Sequence, residues 1–187
     1  MIQAVIFDMD GLMIDSEPLQ KQAWQLTLRR LGHELDDALF DRMFGLRISD
    51  DAALLRDHFH LPITAEALAR QRNELYLASL PGRLQAMPGL YELLSHVQQR
   101  GLRRALATSG ERLYVEIVMR HLALEGMFEA MVTAQDVARG KPAPDVYQKA
   151  AQRLNLLPAH CLALEDAPLG VASAKAAGLQ CIAVPNA

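Results

Sequence analysis

The chain has 187 residues, of which 51% are apolar, and 19 Lys and Arg stand against 22 Asp and Glu for a formal net charge of -3. That length supports one hydrophobic core, or a core with a modest insertion, without disulfides or a partner chain, and a monomer is the expectation. The charge balance excludes a general attraction to nucleic acid or to an anionic membrane, and no segment has the uninterrupted apolar length of a membrane span.

From the N-terminus, QAVIF at 3 to 7 is a short apolar, partly β-branched run that reads as a buried strand. It meets acids at Asp8, so the start has neither the basic end nor the long apolar stretch of a secretory signal. Residues 16 to 81 follow as a stretch with helical signals throughout, such as QAWQLTLRRLG, SDDAALLRDHF and TAEALARQRNELYLASL, and no strand. Linkers near Asp15 to Pro18 and near Pro81 to Pro88 bound it, where prolines and Gly82 interrupt helix. After it, the apolar runs RALAT (104 to 108), AMVT (130 to 133), CLAL (161 to 164) and CIAV (181 to 184) alternate with helix-length segments at 89 to 100, 112 to 122, 144 to 154 and 168 to 177. Strand and helix in alternation predict an α/β fold, a Rossmann-like parallel sheet covered by helices on both faces. The expected division is a core of residues 1 to 15 and 82 to 187, with an all-helical cap of 16 to 81 inserted after the first strand. Cys161 and Cys181 lie in or beside apolar runs without metal-ligand spacing and read as small buried hydrophobes, which suits a reducing cytoplasm.

Ligands of such sheets bind outside the carboxyl ends of the strands, so residues directly after strands carry the chemical interest. Asp8-Met9-Asp10-Gly11 follows QAVIF and puts two carboxylates one residue apart at a strand end, with Gly11 free to turn sharply. Acidic turn formers before a glycine are the plain alternative. Thr108, Ser109 and Gly110 follow RALAT, where hydroxyls and free amides at a helix start can hold phosphate oxygens or simply cap the helix. Lys141 stands in RGKPAPD, and Pro142 restricts it to an extended conformation, which favours a positioned charge over a solvated one. Glu165 and Asp166 follow CLAL and suit a hard cation with oxygen ligands, or cap the helix that begins near Pro168.

Taken together, FDMDGLMIDSEP, ALATSG, GKPAPDVY and LEDAPLGVASAKAAG resemble the haloacid dehalogenase-like (HAD) hydrolases, in the subgroup with a helical cap after the first strand. The resemblance covers nearly the whole chain. It implies Asp8 as nucleophile, Asp10 as general acid/base, Thr108 as phosphate ligand and Lys141 as the charge that stabilises nucleophile and phosphate. It implies Mg2+ held by Asp8, Asp10 and Asp166, with Glu165 supporting the metal from nearby. Similar proteins continue for about another strand and helix beyond Ala187, so a shortened form is the expectation there.

The activity expected from these residues is a magnesium-dependent phosphatase acting on a small phosphorylated metabolite, a sugar phosphate, through an aspartyl-phosphate. The alternative is a phosphosugar mutase resembling β-phosphoglucomutase. A third reading, a non-catalytic binding protein, is disfavoured because no catalytic position is lost. At the matching position β-phosphoglucomutase-like enzymes carry a histidine that couples proton transfer to a bound sugar; Gln20, which stands here, cannot titrate near neutral pH, and that favours the phosphatase. Glu17, Gln20, Arg47 and Arg72 are the candidates for contacts from the insertion to substrate. His58 and His60, flanking Phe59, complete no metal set.

Overall fold

The computed structural model describes residues 1–185, and in it every apolar run singled out above becomes a strand: β1 (Ala4–Phe7), β2 (Arg103–Ala107), β3 (Ala130–Val132), β4 (Cys161–Glu165) and β5 (Gln180–Ala183). They form one parallel sheet in the order β3-β2-β1-β4-β5. The first strand is therefore central, with partners on both sides and no solvent edge, and all four of its residues are buried. Side chains on a strand alternate between faces. Val5 and Phe7 point into one cluster with Leu106 and Leu164, while Ala4 and Ile6 point into the other with Ala105, Ala107 and Ala163. The first cluster is closed by α5 (Leu90–Gln99) and α6 (Arg112–His121), the second by α7 (Asp145–Arg153) and α8 (Pro168–Ala176). The α/β class with both faces covered is thus what the alternating pattern specified.

Between β1 and β2 stand four more helices, α1 (Glu17–Arg30), α2 (Asp37–Asp41), α3 (Ile48–Phe59) and α4 (Ala65–Ser79). Proline in the first turn starts α1, Asp36 caps α2 by accepting from the Leu39 amide at 2.7 Å, and Thr64 caps α4 by accepting from Ala67 at 3.2 Å. These helices bury a cluster of their own, which includes Trp24, Leu28, Leu55 and Leu68. Its two ends are tied to each other as the chain leaves and re-enters the sheet: Ile14 bridges Ala86, the Asp15 amide donates to Gln85 O at 3.1 Å, and the Met87 amide donates to Met13 O at 2.9 Å.

The fourth residue of the expected strand at 130 to 133 is not part of β3. Thr133 instead opens a single helical turn, accepting at its side chain from the turn and pairing with Asp136 in a reciprocal cap. Local capping chemistry outcompetes the sheet at that residue. The expectation about the chain beyond Ala187 lies outside the described residues. Among the described residues no helix is long and apolar enough to cross a membrane.

Gly170 sits buried in α8 where a Cβ would run into the carboxylate of Glu165 at the end of β4. Gly to Ala inside a helix ordinarily stabilises by about 1 kcal/mol. Here the sign is expected to reverse, with Gly170→Ala costing about 1–3 kcal/mol by chemical denaturation, because the collision must be relieved in a packed interior.

Candidate active site

The register of the sheet builds the site. Phe7 lies level with Leu106 on one side and Leu164 on the other, so the next residues of the three central strands emerge together at the carboxyl end. The Asp8 amide still donates to Leu164 O at 3.0 Å, and the Thr108 amide to Val132 O at 3.0 Å, which holds both residues to the sheet as their side chains leave it. Asp8, Asp10, Thr108, Ser109, Gly110, Lys141 and Asp166 line one cleft, open to solvent, whose other wall comes from the helices between β1 and β2. Such a place, where strand order reverses about β1, is where α/β sheets bind ligands.

Lys141 reaches this floor from the loop before α7 and is 4% exposed. Its ammonium donates to Asp8 Oδ1 at 2.7 Å and to Glu165 Oε1, which also accepts from the buried Tyr147 hydroxyl at 2.7 Å. Burial alone would lower the Lys141 pKa; the Asp8 and Glu165 carboxylates overcome it and hold the ammonium charged well above the ordinary lysine range. One cation does not balance the acids around it. Burial, then the neighbouring Glu165, pushes Asp8 well above the usual carboxylate range, and the same two causes raise Asp166 to about 7.

Asp8, Glu165 and Asp166 each offer a carboxylate oxygen, and the three oxygens lie within 4.8 Å of one another. All-oxygen donors, close together and carrying more negative charge than the one ammonium beside them can balance, form a set that fits a hard divalent cation. Asp10 is not in this set. Its Oδ1 accepts from Ser16 Oγ at 2.5 Å, Tyr114 Oη at 2.6 Å and Gln20 Nε2 at 3.0 Å, which turns the carboxylate toward the insertion. Glu165, expected to stand behind the metal, contributes an oxygen to the set directly.

Of the candidates from the insertion, Glu17, Gln20 and Arg72 line the cleft. Arg72 is fully buried and donates from Nη2 to Gln20 Oε1 at 2.9 Å. Arg47 does not line it: the guanidinium is committed to Asp50 at 2.9 Å and to Ala138 O at 3.2 Å, packed over Gly140. Ser109 lines the cleft and donates its hydroxyl to Gly45 O at 3.2 Å, across to the insertion. Three site tyrosines escaped the sequence reading, Tyr76, Tyr114 and Tyr147, because a tyrosine on an amphipathic helix is indistinguishable from core filler. The spacing of Tyr147 from Lys141, within GKPAPDVY, was the one available signal.

A family model described as haloacid dehalogenase-like hydrolase matches residues 2–178. The chain belongs to that family. This hydrolase is 34% identical to the validoxylamine A 7'-phosphate phosphatase of Streptomyces hygroscopicus subsp. limoneus, over 97% of the chain and 85% of the relative. It is 31% identical to the fructose-1-phosphate phosphatase YqaB of Escherichia coli, over 96% of the chain and 95% of the relative. The crystal structure of CbbY from Rhodobacter sphaeroides with xylulose-(1,5)bisphosphate superposes with a TM-score of 0.90 at 28% identity, over 100% of this chain and 87% of that one.

The Tyr76 hydroxyl of α4 donates to that of Tyr114 on α6 at 2.7 Å, and the Tyr114 hydroxyl donates in turn to Asp10 Oδ1 at 2.6 Å. Tyr114→Phe leaves Tyr76 without its acceptor in a buried place and is expected to cost about 1–3 kcal/mol in urea unfolding. In a double-mutant cycle with Tyr76→Phe the two losses are expected to sum to more than the double variant loses.

Proposed function

We propose that this hydrolase is a magnesium-dependent phosphatase that releases inorganic phosphate from a small phosphorylated metabolite, a sugar phosphate, through an aspartyl-phosphate on Asp8. The observation that carries the reading is Asp8 at the end of the central strand, facing the cleft while its Oδ1 is held by the Lys141 ammonium. The phosphatase relatives point to the same substrate class.

In this reading Asp8 attacks phosphorus in line and the ester oxygen leaves. Lys141 offsets the repulsion between carboxylate and phosphoryl oxygens, and Thr108, Ser109 and Gly110 hold those oxygens at the start of α6. Asp8 and Asp166, with Glu165 beside them, would hold magnesium, which supplies further charge neutralisation when bound. Asp10 protonates the leaving oxygen and then takes a proton from the attacking water. Its hydrogen bonds to Ser16, Gln20 and Tyr114 fix the carboxylate in reach of the cleft. Residues 16 to 81 act as a cap that controls water access by moving on the linkers near 15 to 18 and 81 to 88.

Gln20 donates to Asp10 and accepts from Arg72, so the neighbour of the acid/base group is one that cannot titrate. That favours release of phosphate to water over transfer to a second sugar hydroxyl. Purified protein with magnesium is expected to release phosphate steadily from hexose monophosphates, and Asp8→Asn to lower turnover by at least about a thousand-fold in folded protein. Efficient primer-dependent conversion of β-glucose 1-phosphate to glucose 6-phosphate in a coupled assay would make the enzyme a mutase instead.

Acids whose pKa is higher folded than unfolded keep their protons longer in the native state, so they withdraw stability as pH rises from the ordinary carboxylate range toward the raised value. With Asp166 raised to about 7 and Asp8 raised in the same direction, stability without metal is expected to fall across that window. Magnesium then favours the ionised forms, and its effect on Tm is expected to grow with pH, from near nil at about pH 4.5 to about 5 °C at about pH 8 in thermal scans. A magnesium effect independent of pH would remove these carboxylates from the metal site.

A further inference from the structure

Three donors hold Asp10, the acid/base group of the proposed chemistry, and they come from different parts of the molecule. Ser16 Oγ, at 2.5 Å, lies in the linker to the insertion, and Gln20 Nε2, at 3.0 Å, on α1 within it. Tyr114 Oη, at 2.6 Å, belongs to the first turn of α6, which packs against the sheet. The Tyr114 side chain is anchored there, 5% exposed, in the cluster that contains Met9 and Val118. Gly110, in the loop before α6, admits the ring: a Cβ at that position would lie 3.1 Å from Tyr114 Cδ1. Burial, then the neighbouring Asp10, pushes the Tyr114 pKa well above the ordinary tyrosine range, so the hydroxyl keeps its proton and stays a donor.

All three bonds end on the same oxygen, Asp10 Oδ1. A carboxyl oxygen has two lone pairs, so three donors leave Oδ1 no room for a proton of its own. The proton that passes to a leaving oxygen is then carried on Oδ2. Its delivery depends on which way the carboxyl plane faces, and rotation of that plane is soft unless donors fix it. A general acid has to stand within hydrogen-bond reach of the oxygen it protonates. Ser16 and Gln20 fix the plane from segments that travel with the insertion, whereas Tyr114 fixes it from the sheet side. Tyr76 supplies the contrast. Its ring meets that of Tyr114 edge to face at 5.2 Å, and its hydroxyl donates to Tyr114 and not to Asp10.

We propose that Tyr114 is a positioning residue for Asp10: held by the sheet side, it ties down Oδ1 and so presents Oδ2 to the ester oxygen, whatever position the helices between β1 and β2 take. The inference rests on the phosphatase reading and deepens it by assigning the two oxygens of the acid/base carboxyl separate tasks.

The test uses two leaving groups that differ in their need for a proton. A sugar alkoxide must be protonated as it leaves, whereas acetate leaves as a stable anion. Wild-type protein, Tyr114→Phe and Tyr76→Phe are compared, with magnesium, for kcat/KM on the best sugar monophosphate of a panel and on acetyl phosphate. Both variants break the bond between the tyrosines, and only Tyr114→Phe breaks the bond to Asp10. Tyr114→Phe is expected to lower the ratio of sugar phosphate to acetyl phosphate activity about ten-fold, and Tyr76→Phe to leave that ratio within about two-fold of wild type. Loss of folded protein lowers both activities alike and cancels in the ratio. Should Tyr114→Phe fail to fold, Gly110→Ala carries the test, since its Cβ displaces the ring while losses in phosphate binding cancel in the same way. A drop of about three-fold in the ratio is expected there. An unchanged ratio in the variant that carries the test, or equal drops in Tyr114→Phe and Tyr76→Phe, overturns the inference and leaves the phosphatase standing. Wild-type protein inert toward both substrates overturns the phosphatase and the inference with it.

Discussion

The site depends on one ammonium group buried between two carboxylates. Lys141, 4% exposed, bonds Asp8 on one side and Glu165 on the other, and each of these acids would be untenable at its depth without it. The neighbours of this pair are arranged around its needs. Tyr147 supplies Glu165 with a further donor, and Gly170 leaves the space its carboxylate occupies. Lys141 itself comes from a loop, so its position is set by the partners it reaches and by the start of α7 just beyond it.

The alternation of a strand continues past the end of β1 and sorts the acids. Met9 is fully buried in the core, while Asp8 and Asp10 on either side of it line the cleft. The two carboxylates then part company. Asp8 is engaged by the sheet side of the molecule, through Lys141, and Asp10 by Ser16, Gln20 and Tyr114, which belong to the insertion and to the helix beneath it. One residue of spacing thus connects two environments, one able to hold cationic charge against an anion and one rich in neutral donors that fix the orientation of a carboxylate.

The fold was legible because apolar runs of strand length alternated with helix-length segments, and each strand ended on residues unlike those inside it. That same change of character revealed Asp8, Thr108, Glu165 and Asp166 without any structure. Lys141 was legible through Pro142 and through the resemblance it helped to carry. The insertion was harder to read. Asp50 and Asp51 are adjacent, and only the rotation of α3 about its axis makes Asp51 the inward one, a phase that a pattern of DDAALL does not fix to within a residue. Arg47 and Arg72 looked alike as candidates for the same reason; the first is drawn off by Asp50, and the second is enclosed by aromatic rings. Gly170 was invisible, since a glycine in a helix signals nothing about a carboxylate arriving from a neighbouring strand.

The clasp at Ile14 and Ala86 has a further consequence. The chain leaves the sheet and returns to it through segments bonded to each other, so the covalent path to the four helices between them runs through one clasp, and their other ties to the sheet side are side-chain contacts such as Tyr76 with Tyr114 and Ser109 with Gly45 O. Lengthening or shortening such a loop costs little in closure entropy once its ends are fixed together. The helices can therefore be exchanged, enlarged or reshaped without moving β1 from its place beside β2 and β4. A chain built this way can change what enters the cleft while the carboxylates at its floor stay in register.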